Sequence, residues 1–327
     1  MFNSTASRDE TAAPRADSIT IEKILVVVDP TAVEHPCVEK AARIAARLGS
    51  SIELYICDDV QSLPDSWAGT SKQAEYRELR RQRFAEALVD LATPLRARGL
   101  IVTTLCEWGV PLEKGIGEHV VRTRPDLVIK DTHRHRLPTR GPVTSTDLRL
   151  ISQIPAPLLL VRPAAWAAQP RIVAAIDPCH PADRPESLDQ RLISTGCLLA
   201  NATGGSAQAL HVLQPPPHLP GEPVPPIERA RAYGAARDAV ESAVAQASNL
   251  PAPMPVQFVD GSVATAIVSF VIANKPDLLM LGVAARGRTA GSTPGDTAAR
   301  ILEDVPCDVL IIKPRGFVSP LLTSDES

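Results

Sequence analysis

Residues 281–298 read LGVAARGRTAGSTPGDTA. Gly282, Gly287 and Gly295 stand between an apolar run and a short amphipathic segment. A strand, a glycine-bearing loop and a helix start make an arrangement that binds phosphate. Backbone N–H groups face the anion there, and the helix dipole favours negative charge. Arg286 and Arg288 add two cations to the loop. Asp296 opposes them. Its carboxylate suits the N-cap of the helix TAARILED, where it would take the N–H bonds a phosphate needs. A carboxylate about 4 Å from a phosphate oxygen repels it by roughly 4 kcal/mol per charge pair at an effective dielectric near 20. The stretch therefore reads as a phosphate cradle partly closed by an acid, with a bridging Mg²⁺ as one way to use that acid.

A second set of chemistry-bearing residues lies in KDTHRHRL (130–137). Asp131, His133 and His135 are zinc-type ligands, and H-x-H puts both rings on one side of an extended segment. His119 is a candidate neighbour. Arg134 and Arg136 flank the histidines and oppose a divalent cation, so a polar loop is the alternative. Asp29 and Asp177 follow apolar runs and precede Pro30 and Pro178. Each can accept a hydrogen bond from a ligand or cap the turn that follows it. No Ser-His-Asp or Cys-His set can be assigned from spacing.

The elements that must position these residues repeat. ILVVVDP (24–30) opens one half and IVAAIDP (172–178) the other. RPDLVIK (124–130) is matched by KPDLLML (275–281), and IPAPLLLVRP (154–163) by VPCDVLIIKP (305–314). The last two pairs share one sequence offset, so the chain is a duplication with too long a period for a solenoid. Apolar runs at 24–28, 51–57, 100–105, 126–130 and 157–161 predict buried parallel strands. Runs at 171–176, 207–213, 255–259, 277–281 and 308–312 predict the same in the second half. Helical patterns separate them. Phe84, Leu88, Leu91 and Leu95 mark one helix face, with Ser71 as its cap and Gly99 at its end. A further helix is expected over 227–248.

Strand–helix alternation predicts an α/β fold: two tandem, doubly wound, five-stranded parallel-sheet domains of Rossmann-like type. The expected division is a tail at 1–19, a first domain at 20–162, a linker at 163–170, a second domain at 171–316 and a tail at 317–327. Pairing of 157–161 with 308–312 would give a pseudo-twofold monomer that mimics a dimer; a homodimer is the other expectation. Sheets of this kind bind ligands beyond the carboxyl ends of their strands. Asp29, Gly109 and Asp131 occupy those ends in the first half, and Asp177, Gly261 and Gly282 in the second.

Composition limits the partners. The chain has 327 residues, 44% of them hydrophobic and 22% charged, with a formal net charge of −3. No basic surplus favours nucleic acid. The first nineteen residues show no signal-peptide pattern, and no run approaches the roughly 18 apolar residues of a membrane span. Six scattered cysteines without a C-x-x-C pair read as reduced and cytoplasmic. QPPPHLPGEPVPPI (214–227) reads as an exposed spacer, with a stiff lid or a polyproline ligand as alternatives.

An Asp after the first strand, a Gly after the third and a Gly-rich loop after the fourth resemble the universal stress protein family in its tandem form. KDTHRH (130–135) followed by TSTD (144–147) resembles the first half of that form, and GRTAGSTPGDTA (287–298) the second. The resemblance covers about residues 20–316. It implies a nucleotide-binding fold and a role in stress survival through ligand binding, without an agreed catalytic activity. Family members that bind ATP carry G-x-x-G-x9-G-S/T. Here Gly282 and Gly295 match, while Ala285 and Asp296 replace the second Gly and the Ser/Thr. An Ala held at φ > 0 costs about 1–2 kcal/mol, which a turn shifted to Gly287 would relieve. The resemblance places a small-molecule site, with ATP as a candidate, at Asp177, Val212, Gly261, Gly282, Arg286, Gly287, Arg288, Gly295, Asp296 and Thr297, with Asp177 near an adenine. In the first half Asp131 replaces Gly282 and Thr144 replaces Gly295, so no ATP is expected there. The implied protein is a non-enzymatic binding protein of stress response. An ATP-using enzyme on the same fold is the alternative.

Overall fold

A computed structural model describes residues 20–58, 66, 69–108, 112–132, 143–179, 186–216, 223–247, 254–283 and 296–322. The first half runs β1 (Lys23–Val27), α1 (Pro36–Leu48), β2 (Ser51–Asp58), α2 (Ser71–Ala97), β3 (Val102–Trp108), α3 (Leu112–Thr123), β4 (Leu127–Asp131), α4 (Ser145–Gln153) and β5 (Leu158–Val161). The second half repeats it: β6 (Arg171–Ala175), α5 (Glu186–Thr203), β7 (Ser206–Leu213), α6 (Pro226–Ala247), β8 (Val256–Asp260), α7 (Val263–Asn274), β9 (Leu278–Gly282), α8 (Asp296–Asp304) and β10 (Asp308–Ile312). All ten strands lie in one sheet of order β3-β2-β1-β4-β5-β10-β9-β6-β7-β8. The order is symmetric about its centre. There β5 and β10 pair antiparallel, Leu159 opposite Leu310, while every other neighbour is parallel. The expected doubly wound halves and their edge-to-edge joining are therefore present.

The inner strands are apolar on both faces because each face is covered, whereas β3 and β8 at the edges carry polar residues. Ile24, Val26, Ile172 and Ala174 point into one core, beneath α1, α2, α5 and α6. Leu25, Val27, Val173 and Ala175 point into the other, beneath α3, α4, α7 and α8. Both cores run through both halves. The α2 stripe behaves as its spacing predicts: Leu88 and Leu95 are buried, and Phe84 and Leu91 pack beside them. Its start differs. Ser71 is the first helical residue and Thr70 the cap position, which makes no side-chain cap bond. Gly99 follows with φ +83°, a left-handed turn that suits glycine. Strand β3 runs on to Trp108, three residues beyond the expected end, because Cys106, Glu107 and Trp108 still pair with β2.

The duplication is visible in backbone detail. Asp126 accepts the amides of Glu22 (2.9 Å) and Lys23 (2.8 Å), where β1 begins. Asp277 accepts those of Ala167 and Arg171 (both 2.8 Å), where β6 begins. The Pro-Asp of each repeated motif thus ties two adjacent strand starts together. Arg124 and Lys275, two residues earlier in each motif, both sit at φ 47°. Residues 317–322, expected in a loose tail, are docked. Ser319 is fully buried, and its hydroxyl donates to the Gln153 carbonyl at 2.6 Å. The Leu321 methyl fills the space over Gly117 where a Cβ would stand, 2.3 Å away.

Candidate functional site

The carboxyl ends of the strands form one edge in each half, and the two edges are built differently. In the first half, Asp131 ends β4 and is buried. Its Oδ1 accepts the amide of Cys37 at 2.9 Å, in the first turn of α1. A carboxylate is thus held where a helix N-terminus would welcome an anion. The start of α4 is closed as well. Thr144 accepts the Asp147 amide at 3.1 Å, and Asp147 accepts the Thr144 amide at 2.8 Å, a capping box. Asp147 is fully buried, and Lys130 Nζ lies 3.0 Å from its other oxygen. Both helix starts that face this edge already hold carboxylates supplied by the chain.

Asp29 follows β1 and makes the local turn. Its Oδ1 accepts the Thr31 amide (2.8 Å) and the Thr31 hydroxyl (2.7 Å). His119 is not a neighbour of Asp131. Along β4, Leu127 and Ile129 face the α1 side, and so does Asp131. His119 lies on α3, across the sheet. Its ring stacks on Tyr55 at 4.2 Å between centroids, with 12° between the planes. Its Nε2 lies 3.3 Å from Glu53 and its Nδ1 3.3 Å from Glu107. Tyr55 donates to Glu107 at 3.1 Å, and Arg122 and Lys23 flank the two carboxylates. The His119 hydrogen bond holds the Glu53 carboxyl below its ordinary range. This set clamps α3 onto β2 and β3. His133 and His135 fall outside the described residues.

In the second half, Asp177, Val212, Gly261 and Gly282 lie at the carboxyl ends of β6, β7, β8 and β9. Gly261 has φ +130°, a conformation that favours glycine, and it turns the chain from β8 into α7. Gly282 pairs with Ile312 and puts no side chain where the first half has Asp131. Helix α8 begins on Asp296 itself, so Asp296 is its first residue and not the residue before it. An acid in a first turn still favours the dipole. Thr297 is exposed. The Asp296 side chain and residues Arg286, Gly287, Arg288 and Gly295 fall outside the described residues.

Sequence reasoning named Val212 and passed over its neighbour. Val212 is buried in the α7–α8 core. His211, one position earlier, faces the opposite side by strand alternation. It is 3% exposed, and its Nδ1 lies 3.0 Å from the Ile176 carbonyl. Asp177 Oδ1 is 4.0 Å from that Nδ1, and Cys179 Sγ is 4.0 Å from Nε2. Phe258 meets the imidazole edge-on at 6.2 Å, and Arg237 stacks 4.3 Å above Phe258. Burial pushes the Cys179 thiol up, and the carboxylates of Asp177 and Asp189 push it further. Cys179 is therefore held toward its thiol form and is not an activated thiolate.

Two parallel modules, joined at their edges and open at the carboxyl ends of their strands, define a tandem protein of the doubly wound α/β class. A family profile described as the universal stress protein family matches residues 20–162 and again residues 170–313. The chain belongs to that family, carries its domain twice, and shares its role in stress response. It is 22% identical over 320 residues to universal stress protein E of Photorhabdus laumondii, covering 93% of this chain and 99% of the relative. It is similar in fold to a protein of unknown function from Pseudomonas aeruginosa PAO1, at TM-score 0.69 and 23% identity over 90% of this chain and 93% of the other. A universal stress protein from Archaeoglobus fulgidus matches at TM-score 0.62 and 14% identity, over 89% and 98% of the two chains. Among the described residues no helix is long and apolar enough to cross a membrane.

Proposed function

We propose that this chain is a non-enzymatic binding protein of the stress response, whose second domain (171–316) takes a small molecule and whose first domain (20–162) is its structural partner. One observation carries this. The first half caps the start of α4 with Thr144 and Asp147, and neutralises Asp147 with Lys130. At the same offset the second half has Gly295, Ala298 and Leu281, none of which can build that box. The second module therefore lacks the capping box that closes the first, which supports a ligand at that end. A phosphate-bearing ligand such as a nucleotide suits such an end, held weakly because Asp296 opposes it. The pairing of β5 with β10 supports a monomer that joins its two modules internally, and a cytoplasmic location fits the reduced cysteines.

Titration calorimetry of the full chain with ATP and Mg²⁺ tests this. The expected result is at most one weak site per chain, lost in Gly282→Asp, which gives the second half the first half's acid. Two tight sites per chain would overturn the assignment of the halves. Steady release of inorganic phosphate, lost in the same variant, would replace the binding protein with an ATP-using enzyme.

A further inference from the structure

Asp177, Cys179 and His211 bring three different metal-ligating side chains to the carboxyl edge of the second half. One ligand atom from each lies within 4.8 Å of the others. The ring of His211 is fixed by its contact with the Ile176 carbonyl at 3.0 Å. With the Nδ1 proton donated there, Nε2 keeps its lone pair, and Nε2 is the nitrogen 4.0 Å from Cys179 Sγ. Metal-binding histidines are held in this way, with the far N–H on a backbone carbonyl. In a tetrahedral zinc site a sulfur and a nitrogen ligand stand about 3.5 Å apart, given Zn–S near 2.3 Å and Zn–N near 2.0 Å. The observed 4.0 Å between Sγ and Nε2 needs only a small closure, while Asp177, whose Oδ1 lies 4.0 Å from Nδ1, must turn toward Nε2. Cys179 and Asp177 are partly exposed on the turn after β6 and can supply it, whereas His211 is locked in the wall.

We propose that Asp177, Cys179 and His211 form a zinc-type transition-metal site with three protein ligands and a fourth position for an outside ligand. The donor set excludes the hard cations. Mg²⁺ and Ca²⁺ take oxygen ligands, whereas one nitrogen, one sulfur and one carboxylate oxygen suit Zn²⁺ or Co²⁺. On binding, the Cys179 S–H bond breaks, its proton leaves to solvent, and the thiolate bonds the metal. The carboxylate and the thiolate then balance the metal's two positive charges. A fourth ligand, such as a phosphate or carboxylate oxygen of a small molecule, completes the tetrahedron. The metal site does not rest on the nucleotide reading, although the two share Asp177.

The test uses the full chain stripped with a chelator and titrated with Co²⁺. One equivalent is expected to bind and to show a thiolate-to-cobalt charge-transfer band in the near ultraviolet. Cys179→Ser should abolish the band and weaken zinc binding about tenfold or more. Retention of the wild-type circular dichroism and melting transition shows that this half-buried variant is folded. His211→Gln should also lose the site, but Cys179→Ser carries the test because His211 is buried. A wild-type protein without the band, or a band that survives Cys179→Ser, overturns the proposal. Nucleotide titration of the stripped protein separates the two readings. Loss of nucleotide binding alone leaves the band in place, and absence of the band leaves nucleotide binding intact.

Discussion

Lys40, on the first helix, places its Nζ 3.0 and 2.8 Å from the two carboxylate oxygens of Asp308, which opens the last strand. The two side chains are 5% and 2% exposed and belong to different halves. Asp308 also accepts the Arg162 amide and the Trp166 indole N–H, both at 2.7 Å. Burial pushes its carboxyl up, while Lys40, Arg162 and Trp166 pull it back. Four donor contacts, two from Lys40 and one each from Arg162 and Trp166, hold the carboxylate. Lys40→Met would strand that charge in the core and should cost about 3–5 kcal/mol. Pairing it with Asp308→Asn should recover part of the loss. Urea unfolding of the singles and the double measures both. A Lys40→Met cost below about 1 kcal/mol would show that the pair does not hold the halves together.

Lys313 gives the stability a pH dependence with a definite sign. It is 2% exposed, with Nζ 2.9 Å from the Ile154 carbonyl and 3.9 Å from the Phe317 ring centroid. Burial pushes its amine down to about 7. An unfolded lysine titrates near 10.4. Between these values the unfolded chain binds more protons than the folded one, so stability rises with pH across that window, by up to about 1.4 kcal/mol per unit from this group. Below pH 7 both states are protonated and the full burial cost remains. Lys313→Met should remove this slope and raise stability most at the low end. The difference between the two proteins' urea midpoints, followed from neutral pH upward, isolates the residue. Parallel curves would rule out a titrating Lys313.

Strands were legible because a parallel strand buried on both faces is apolar without interruption, as in Ile24–Val28 and Leu158–Val161. The repeated Pro-Asp was legible as a landmark, but not its purpose, because the amides that Asp126 accepts lie 103 and 104 residues away. His211 and Cys179 escaped for a related reason. They are 32 residues apart, and the β6–β7 register, Ala175 opposite Leu210, brings them together. A cysteine two residues after the strand-ending Asp177 and a histidine at the matching height of the next strand were the available signal. The docking of 319–322 left no periodic trace, since a three-residue turn has none. His119 looked like a ligand by type alone. Its place between Ile116 and Val120 on the buried stripe of α3 marks it as part of the packed face.

The capping box at Thr144 and Asp147 should be costly to open. Asp147→Ala removes the acceptor for the Thr144 amide and leaves Lys130, whose side chain is only 12% exposed, without its carboxylate. A lost cap costs about 1 kcal/mol, and the unpaired cation adds more. The expected total is about 2–3 kcal/mol by urea unfolding. Opening this helix end should not create a nucleotide site, because Asp131 still holds the Cys37 amide at 2.9 Å. Tight ATP binding by the first half of this variant would show that Asp147 alone had closed it.

Two glycines that pack tightly should respond differently to one added methyl. A Cβ at Gly205 would stand 2.1 Å from the Pro170 carbonyl oxygen, and Ser206 donates its amide to that same oxygen at 2.9 Å. Backbone meets backbone there, so the starts of β6 and β7 must separate. Gly205→Ala should cost about 3 kcal/mol, at the upper end of overpacking. At Gly117 the obstacle is the tip of Leu321, a flexible side chain on the final turn. Gly117→Ala gains helix propensity of about 1 kcal/mol, and Leu321 can swing away. Its global stability should change by less than about 1 kcal/mol, while residues 319–322 lose their seat. Limited proteolysis should therefore clip the end of Gly117→Ala faster than that of wild type. The Gly205→Ala chain should instead unfold at lower urea with its end still protected until it does. Equal clipping of Gly117→Ala and wild type would mean that Leu321 does not anchor the final turn to α3.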